Sequence, residues 1–448
     1  MNNIINNFSS TLINLDKWSD KAIKESIFGN LRFVKYFLPE QNKILDSALT
    51  VTLIVLFISL ALPQFANDRF GIGIIILICF FFFLLNQNLL KCNFNIIDFL
   101  IIVFLLIATI STFSSFFFRE SLNGLIKYFL FFLSYFIFKC TLLNSSQNKL
   151  IFLFYSLFTC AIAVSLIGIY QYVIGVEPLA TWEDINSENI HSRVYSTLGN
   201  PNLLAGYLLP LLPFGIILPF KVKSSLFFKF LSITSSIIIF ACIIFTGSRG
   251  GYIGLMASTL VGLSAYLISL FKSQNKRFSL FFLWIILAVL ILIIVFLFPV
   301  FTERLSTIFT LRGHSSNSYR VNVWLSCLKM LRDNWIIGIG PGNNTFRLSY
   351  GLYMTSGFDA LAAYNIFLEF AIETGFLGCL TFISIFLISF LKLHYIFWSK
   401  GDLMALGLFI SLIAILIHGM FDTIFFRPQV FIPYWFLTAA IARLECEI

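Results

Sequence analysis

The chain has 448 residues, 59% of them hydrophobic and only 11% charged, with a mean hydropathy of +0.92 and a formal net charge of +9. Soluble domains carry about a quarter charged residues, so this composition excludes a soluble globular protein. Apolar runs of spanning length recur along the whole sequence, which predicts an all-α, polytopic transmembrane helical bundle.

In chain order, residues 1–45 are Asn-rich and basic and lack the short apolar core of a cleaved secretory signal. Within them Ile23, Ile27, Leu31, Val34 and Leu38 recur at helical spacing between lysines, the pattern of a helix lying on the membrane surface. A basic tail without fixed structure suits the same composition equally well. From residue 46 to 448 one integral domain is expected. Its apolar stretches fall at 47–64, 70–87, 97–116, 124–143, 149–174, 203–220, 228–246, 250–271, 279–300, 365–391, 403–421 and 429–442, about twelve spans in all.

Two stretches, 175–202 and 301–364, are too polar to cross a membrane. Inside the second, YRVNVWLSCLKMLRDNW (319–335) sets Trp324, Cys327, Leu331 and Trp335 at helical spacing, so the large loop is expected to carry interfacial helices. Lysines cluster at positions 17 to 43, at 221 to 229 and at 272 to 276, and the positive-inside rule therefore puts both termini in the cytoplasm and both polar stretches outside. The eight cysteines show no CxxC spacing, and neither a disulfide framework nor a metal site is expected.

With that orientation the basic residues outside are almost all arginine: Arg69, Arg119, Arg193, Arg249, Arg304, Arg312, Arg320, Arg332, Arg347 and Arg427, with Lys329 beside them. Arginine stays ionised and offers a planar fork of donors matched to carboxylate, carbonate or phosphate oxygens, so the outer face reads as an oxyanion-recognising surface. Local pairing with outer acids such as Asp68, Glu120, Glu303 and Asp333 is the simpler alternative for any one of them.

Five constellations carry the candidate chemistry. RVYSTLGNPNLLAGY (193–207) brings Arg193, Asn200 and Asn202 to the mouth of a span, where polar groups need something other than lipid to face. IIFTGSRGGYIG (243–254) sets Ser248 and Arg249 in a Gly-rich break, readable as an anion-binding turn or as a plain hairpin. GIGPGNNTF (338–346) follows Arg320 and is no nucleotide loop, since it lacks the Lys-Ser/Thr ending. AAYNIFLEFAIETG (362–375) places Asn365, Glu369 and Glu373 on one helical face, either because a helix N-terminus favours acids or because they position the arginines or handle protons. In HGMFDTIFFRP (418–428), His418 and Asp422 at i and i+4 are spaced to bond as a clasp, structural or catalytic.

Together, and in this order, these motifs resemble the O-antigen ligase-like superfamily of inner-membrane proteins, with the nearest likeness to the bicarbonate transporter (IctB) family. The resemblance covers roughly residues 45 to 443 and implies a multi-pass protein of the bacterial inner membrane with a large external loop. The ligase side implies transfer of glycan from an undecaprenyl-pyrophosphate carrier, with Arg193, Arg249 and Arg320 matching arginines that hold the pyrophosphate and a loop histidine as base. At the histidine position this chain has Tyr364, between Ala363 and Asn365. A phenol titrating near about 10 is poorly poised as a base. The expectation is therefore a non-enzymatic protein handling a small oxyanion such as bicarbonate. Its rival is a ligase or polymerase acting on lipid-linked pyrophosphate glycan, with Glu369, Glu373 or His418 in place of the missing base. Membrane lipid is the expected surrounding, and no cofactor or nucleic acid is expected.

Overall fold

The computed structural model describes residues 43–63, 69–85, 93–176, 193–221, 225–270 and 316–446, together with Thr11 and Asp16. The surface helix expected within 20–38 and the span expected over 279–300 lie outside these residues. The described chain is all-helical: α1 (Lys43–Ala61), α2 (Arg69–Leu85), α3 (Ile96–Phe113), α4 (Phe118–Leu143), α5 (Gln147–Ile174), α6 (Pro201–Leu208), α7 (Phe214–Lys221), α8 (Leu226–Phe245), α9 (Arg249–Leu270), α10 (Ser316–Asp333), α11 (Asn343–Tyr350), α12 (Ile366–Lys400), α13 (Leu403–Gly419) and α14 (Pro428–Glu445). Among the described residues, 7 helices are long and apolar enough to cross a membrane, and α13 and most of α2 are shorter apolar helices.

Helix starts follow local chemistry. Asn95 caps α3 in a capping box with Asp98, Ser146 caps α5, Ser225 caps α8, and Asp402 caps α13; each side-chain oxygen takes an amide that the first turn leaves unpaired. α14 is buried almost all round, from Gln429 to Ala442, and forms the axis of the bundle. It lies along α4, while α9 lies along α13 and α12 along α3. Aromatic rings fill the centre: Trp435 meets Phe132 at 4.9 Å, Phe431 meets Phe131 at 4.8 Å, and Phe370 stacks on Phe382 at 3.8 Å.

Two expected spans are broken. The stretch 203–220 is divided between α6 and α7, because Pro210 and Pro213 interrupt the amide ladder. The freed Pro210 carbonyl accepts the Ser411 hydroxyl at 2.6 Å. The stretch 365–391 lies in α12, which is broken at Gly375 (φ 72°). The apolar stripe expected on 319–335 also divides. Val323, Cys327 and Met330 of α10 are buried in a cluster with Ile339, Phe346 and Tyr350, whereas Trp335 lies past the helix end and is exposed. Cys140 is disulfide-bonded.

The bundle end opposite the arginines is held by ion pairs. Lys139 meets Asp98, Lys149 meets Asp46 at 2.7 Å, Lys221 meets Asp402 at 2.7 Å, and Lys392 bridges Glu445 and Asp16.

Candidate functional site

The segment 193–200 docks on the ends of α5 and α8. Gln171 of α5 accepts the amides of Ser196 (2.6 Å) and Tyr195 (3.3 Å), and the Val194 amide bonds the Phe245 carbonyl at 3.3 Å. Arg193 is thereby carried to the turn between α8 and α9. There its Nε donates to the Thr246 carbonyl at 2.9 Å, and its side chain lies against Gly247, a position with φ +60° where a Cβ would sit 3.3 Å from the guanidinium stem.

From Arg193 a chain of polar contacts crosses the site. An Nη of Arg193 donates to Asn202 Oδ1 at 2.7 Å, and Asn202 Nδ2 donates to Asp422 Oδ2 at 2.6 Å. The same Asp422 oxygen accepts from Arg320 on α10 at 3.2 Å, and Asp422 Oδ1 accepts the Thr423 amide at 2.8 Å. Two guanidinium groups thus converge on one carboxylate, one directly and one through an amide whose orientation Arg193 fixes. The Arg320 and Asp422 side chains keep 18% and 12% of their surface exposed, so a ligand can reach them. Of the acids expected to pair with arginines, Glu120 accepts from Asn344 and Asp333 from Tyr353; Asp68 and Glu303 lie outside the described residues.

Arg249 begins α9 and is half-buried. Its neighbours on both sides meet His418: Ser248 Oγ lies 3.4 Å from His418 Nε2, and a Cβ on Gly250 would stand 2.9 Å from the imidazole. The backbone of Arg249 therefore belongs to the same site. Asn200 caps α6 through the amides of Asn202 and Leu203, and so sets the helix that carries Asn202.

The clasp expected between His418 and Asp422 is not formed. α13 ends at Gly419, so Asp422 leaves the helical face that the i, i+4 spacing assumed, and it turns to Asn202 and Arg320. His418 is enclosed instead by Gly206, Gly250 and Gly254, whose missing side chains make room for the ring.

Tyr364 stands at the edge of the Arg320–Asp422 pair, with φ +51° and its ring edge-on to Tyr319 at 5.8 Å. Burial pushes its phenol well above the ordinary range; Tyr319 and Asp422 add to this, and Arg320 opposes it. Asn365 caps α12 through the amides of Phe367 and Leu368 and donates to the Met420 carbonyl at 3.0 Å, tying α12 to the end of α13.

The two glutamates are engaged elsewhere. Glu369, 1% exposed, accepts the Ala363 amide. Glu373, 3% exposed, accepts the Gly342 amide at 2.9 Å and the Tyr128 hydroxyl. Among the described residues neither pairs with an arginine; they hold the loops around Gly342 and Ala363 to the bundle. The turn 338–342 completes that joint, with Ile339 and Gly340 donating to the carbonyls of Ile372 and Glu373 at 2.9 and 3.0 Å just before the break at Gly375. Reading the sequence missed Gln171 and the Thr246 carbonyl. A lone glutamine near the end of an apolar helix was the available signal for the first, and the second has no side-chain signature.

No curated protein sequence significantly matches the chain. Residues 234–383, from α8 to within α12, match the O-antigen ligase family model and include Ser248, Arg249, Arg320, Tyr364, Glu369 and Glu373. This match, with the membrane-spanning helices, supports an O-antigen ligase-like multi-pass membrane protein.

Proposed function

We propose that the protein is a glycosyltransferase of the ligase or polymerase type, moving a glycan from a polyprenyl-pyrophosphate carrier such as the undecaprenyl one to a hydroxyl acceptor. Arg193 and Arg320 hold the pyrophosphate, and Arg249 stands beside them. The observation that carries this reading is the convergence of two guanidiniums on the single carboxylate of Asp422. That arrangement leaves an excess of fixed positive charge for a multiply charged leaving group, and each guanidinium offers a fork for paired phosphate oxygens. The ligase family match adds weight to this reading over bicarbonate transport. A bicarbonate ion would fit the same guanidiniums, so both activities belong in one experiment.

The purified chain, reconstituted in liposomes, is assayed for transfer from an undecaprenyl-pyrophosphate-linked sugar and, in parallel, for uptake of labelled bicarbonate. Transfer without uptake is expected. Arg193→Lys and Arg320→Lys should each lower transfer about 10- to 100-fold, because a charge-assisted bond of about 1.5–3 kcal/mol loses its fork geometry while the charge remains. Full transfer in both variants overturns the assignment, and bicarbonate uptake without transfer replaces it.

A further inference from the structure

We infer that Asp422 is the general base of the transfer, kept engaged by Arg320 and Asn202 until the donor's pyrophosphate displaces it. The inference rests on the transferase reading above and names the group that accepts the proton where Tyr364 stands at the position of the histidine that the resemblance implies.

Among the described residues, the choice follows from what each candidate group touches. Glu369 and Glu373 are enclosed and hold the Ala363 and Gly342 amides. His418 is 1% exposed, ringed by glycines and faces Ser248. Tyr364 keeps its proton because burial pushes its phenol up. Among these, Asp422 is the one hydrogen-bonded to the anion-binding residues, with 12% of its side chain still exposed. Its partners are also those the ligand needs. Arg320 binds it at 3.2 Å, the longest of its three contacts, and Asn202 reaches it only in the orientation that Arg193 imposes.

A pyrophosphate bound by Arg193 and Arg320 takes Arg320 from Asp422 directly and, by drawing Arg193 off Asn202, loosens the amide that reaches the same carboxylate. The released carboxylate is then free to meet the acceptor hydroxyl. The base is then armed only when the donor is in place. In the step itself the acceptor O–H bond breaks and its proton passes to Asp422, while the acceptor oxygen bonds to the anomeric carbon. The bond from that carbon to the pyrophosphate oxygen breaks, and its electron pair leaves with the carrier pyrophosphate, which the guanidiniums hold.

The test uses the full chain. Transfer is followed in single turnover, and binding of inorganic pyrophosphate to the detergent-solubilised protein is followed by titration calorimetry. Asp422→Asn keeps the side-chain shape but cannot accept the proton. It should slow transfer about 100-fold or more while binding pyrophosphate at least about 5-fold more tightly, since the competing charge is gone. Asp422→Glu should recover part of the transfer rate, which an Asp422→Asn chain that merely misfolds would not explain. Transfer by Asp422→Asn within about threefold of the wild type overturns the inference, as does weaker pyrophosphate binding, the mark of a residue that only shapes the arginines. A wild-type chain that neither transfers nor binds pyrophosphate defeats the transferase reading first, which separates the two failures.

Discussion

At Tyr364 the backbone sits at φ +51°, a left-handed conformation that side chains other than glycine adopt at a cost of about 1–3 kcal/mol. The residue turns the chain from the outer loop into α12 and presents its ring to Tyr319 beside Arg320 and Asp422. With burial holding the phenol above its ordinary range, it stays neutral across the physiological range and can donate a hydrogen bond but cannot serve as the base. Tyr364→Phe should therefore change the amplitude of the transfer rate and leave the shape of its pH profile intact between about pH 6 and 9, measured as kcat against pH. A lost ionisation in that window would identify the phenol as the titrating group. At this scale the sequence named the participants and not their bonds. Arg193, Asn202 and Asp422 were legible as polar residues at span ends and Arg320 as an arginine of the large loop, yet the bridge through Asn202 joins residues 220 positions apart. The i, i+4 clasp of His418 and Asp422 failed because periodicity does not tell where a helix stops.

For single elements, α12 shows where hydropathy is informative and where it is silent. Its apolar run announces a span, but nothing in the run announces the break at Gly375, because isolated glycines are common in membrane helices. The break exists because another segment supplies what it lacks: the amides of Ile339 and Gly340 take carbonyls that leave the helical ladder, and the Phe376 amide takes the Trp335 carbonyl at 2.8 Å. A Cβ at Gly375 would lie 2.1 Å from the Ile336 carbonyl oxygen at a φ of +72°. Gly375→Ala should cost at least about 2 kcal/mol, seen as a lower thermal midpoint of the solubilised protein. An unchanged midpoint would mean that α12 can run straight through this position.

Across the whole molecule, charge is sorted by type. One end of the bundle uses lysines to bind helices together, and the other gathers arginines around Asp422. The sorting was legible loop by loop; the pairing was not, because Lys139 and Asp98 lie on different helices. That pair is 1% exposed on both sides, so removing one partner leaves an uncompensated charge away from water. Asp98→Asn should destabilise by about 3–5 kcal/mol, and the double variant Asp98→Asn with Lys139→Met should recover much of the loss. By contrast Lys149→Met, whose partner Asp46 is 42% exposed, should cost less than about 1 kcal/mol. Chemical unfolding of the three variants checks the order.

The joint at Gly375 also bears on how the protein can be engineered. Because the turn 338–342 supplies donors to the broken helix, and Ser111 of α3 and Ser115 just past its end bond the same joint, the lobe formed by residues 316–364 is not a detachable module. A chimaera that grafts this lobe onto a relative's membrane scaffold has to import the glycine and both serines with it, or it strands backbone carbonyls in hydrocarbon.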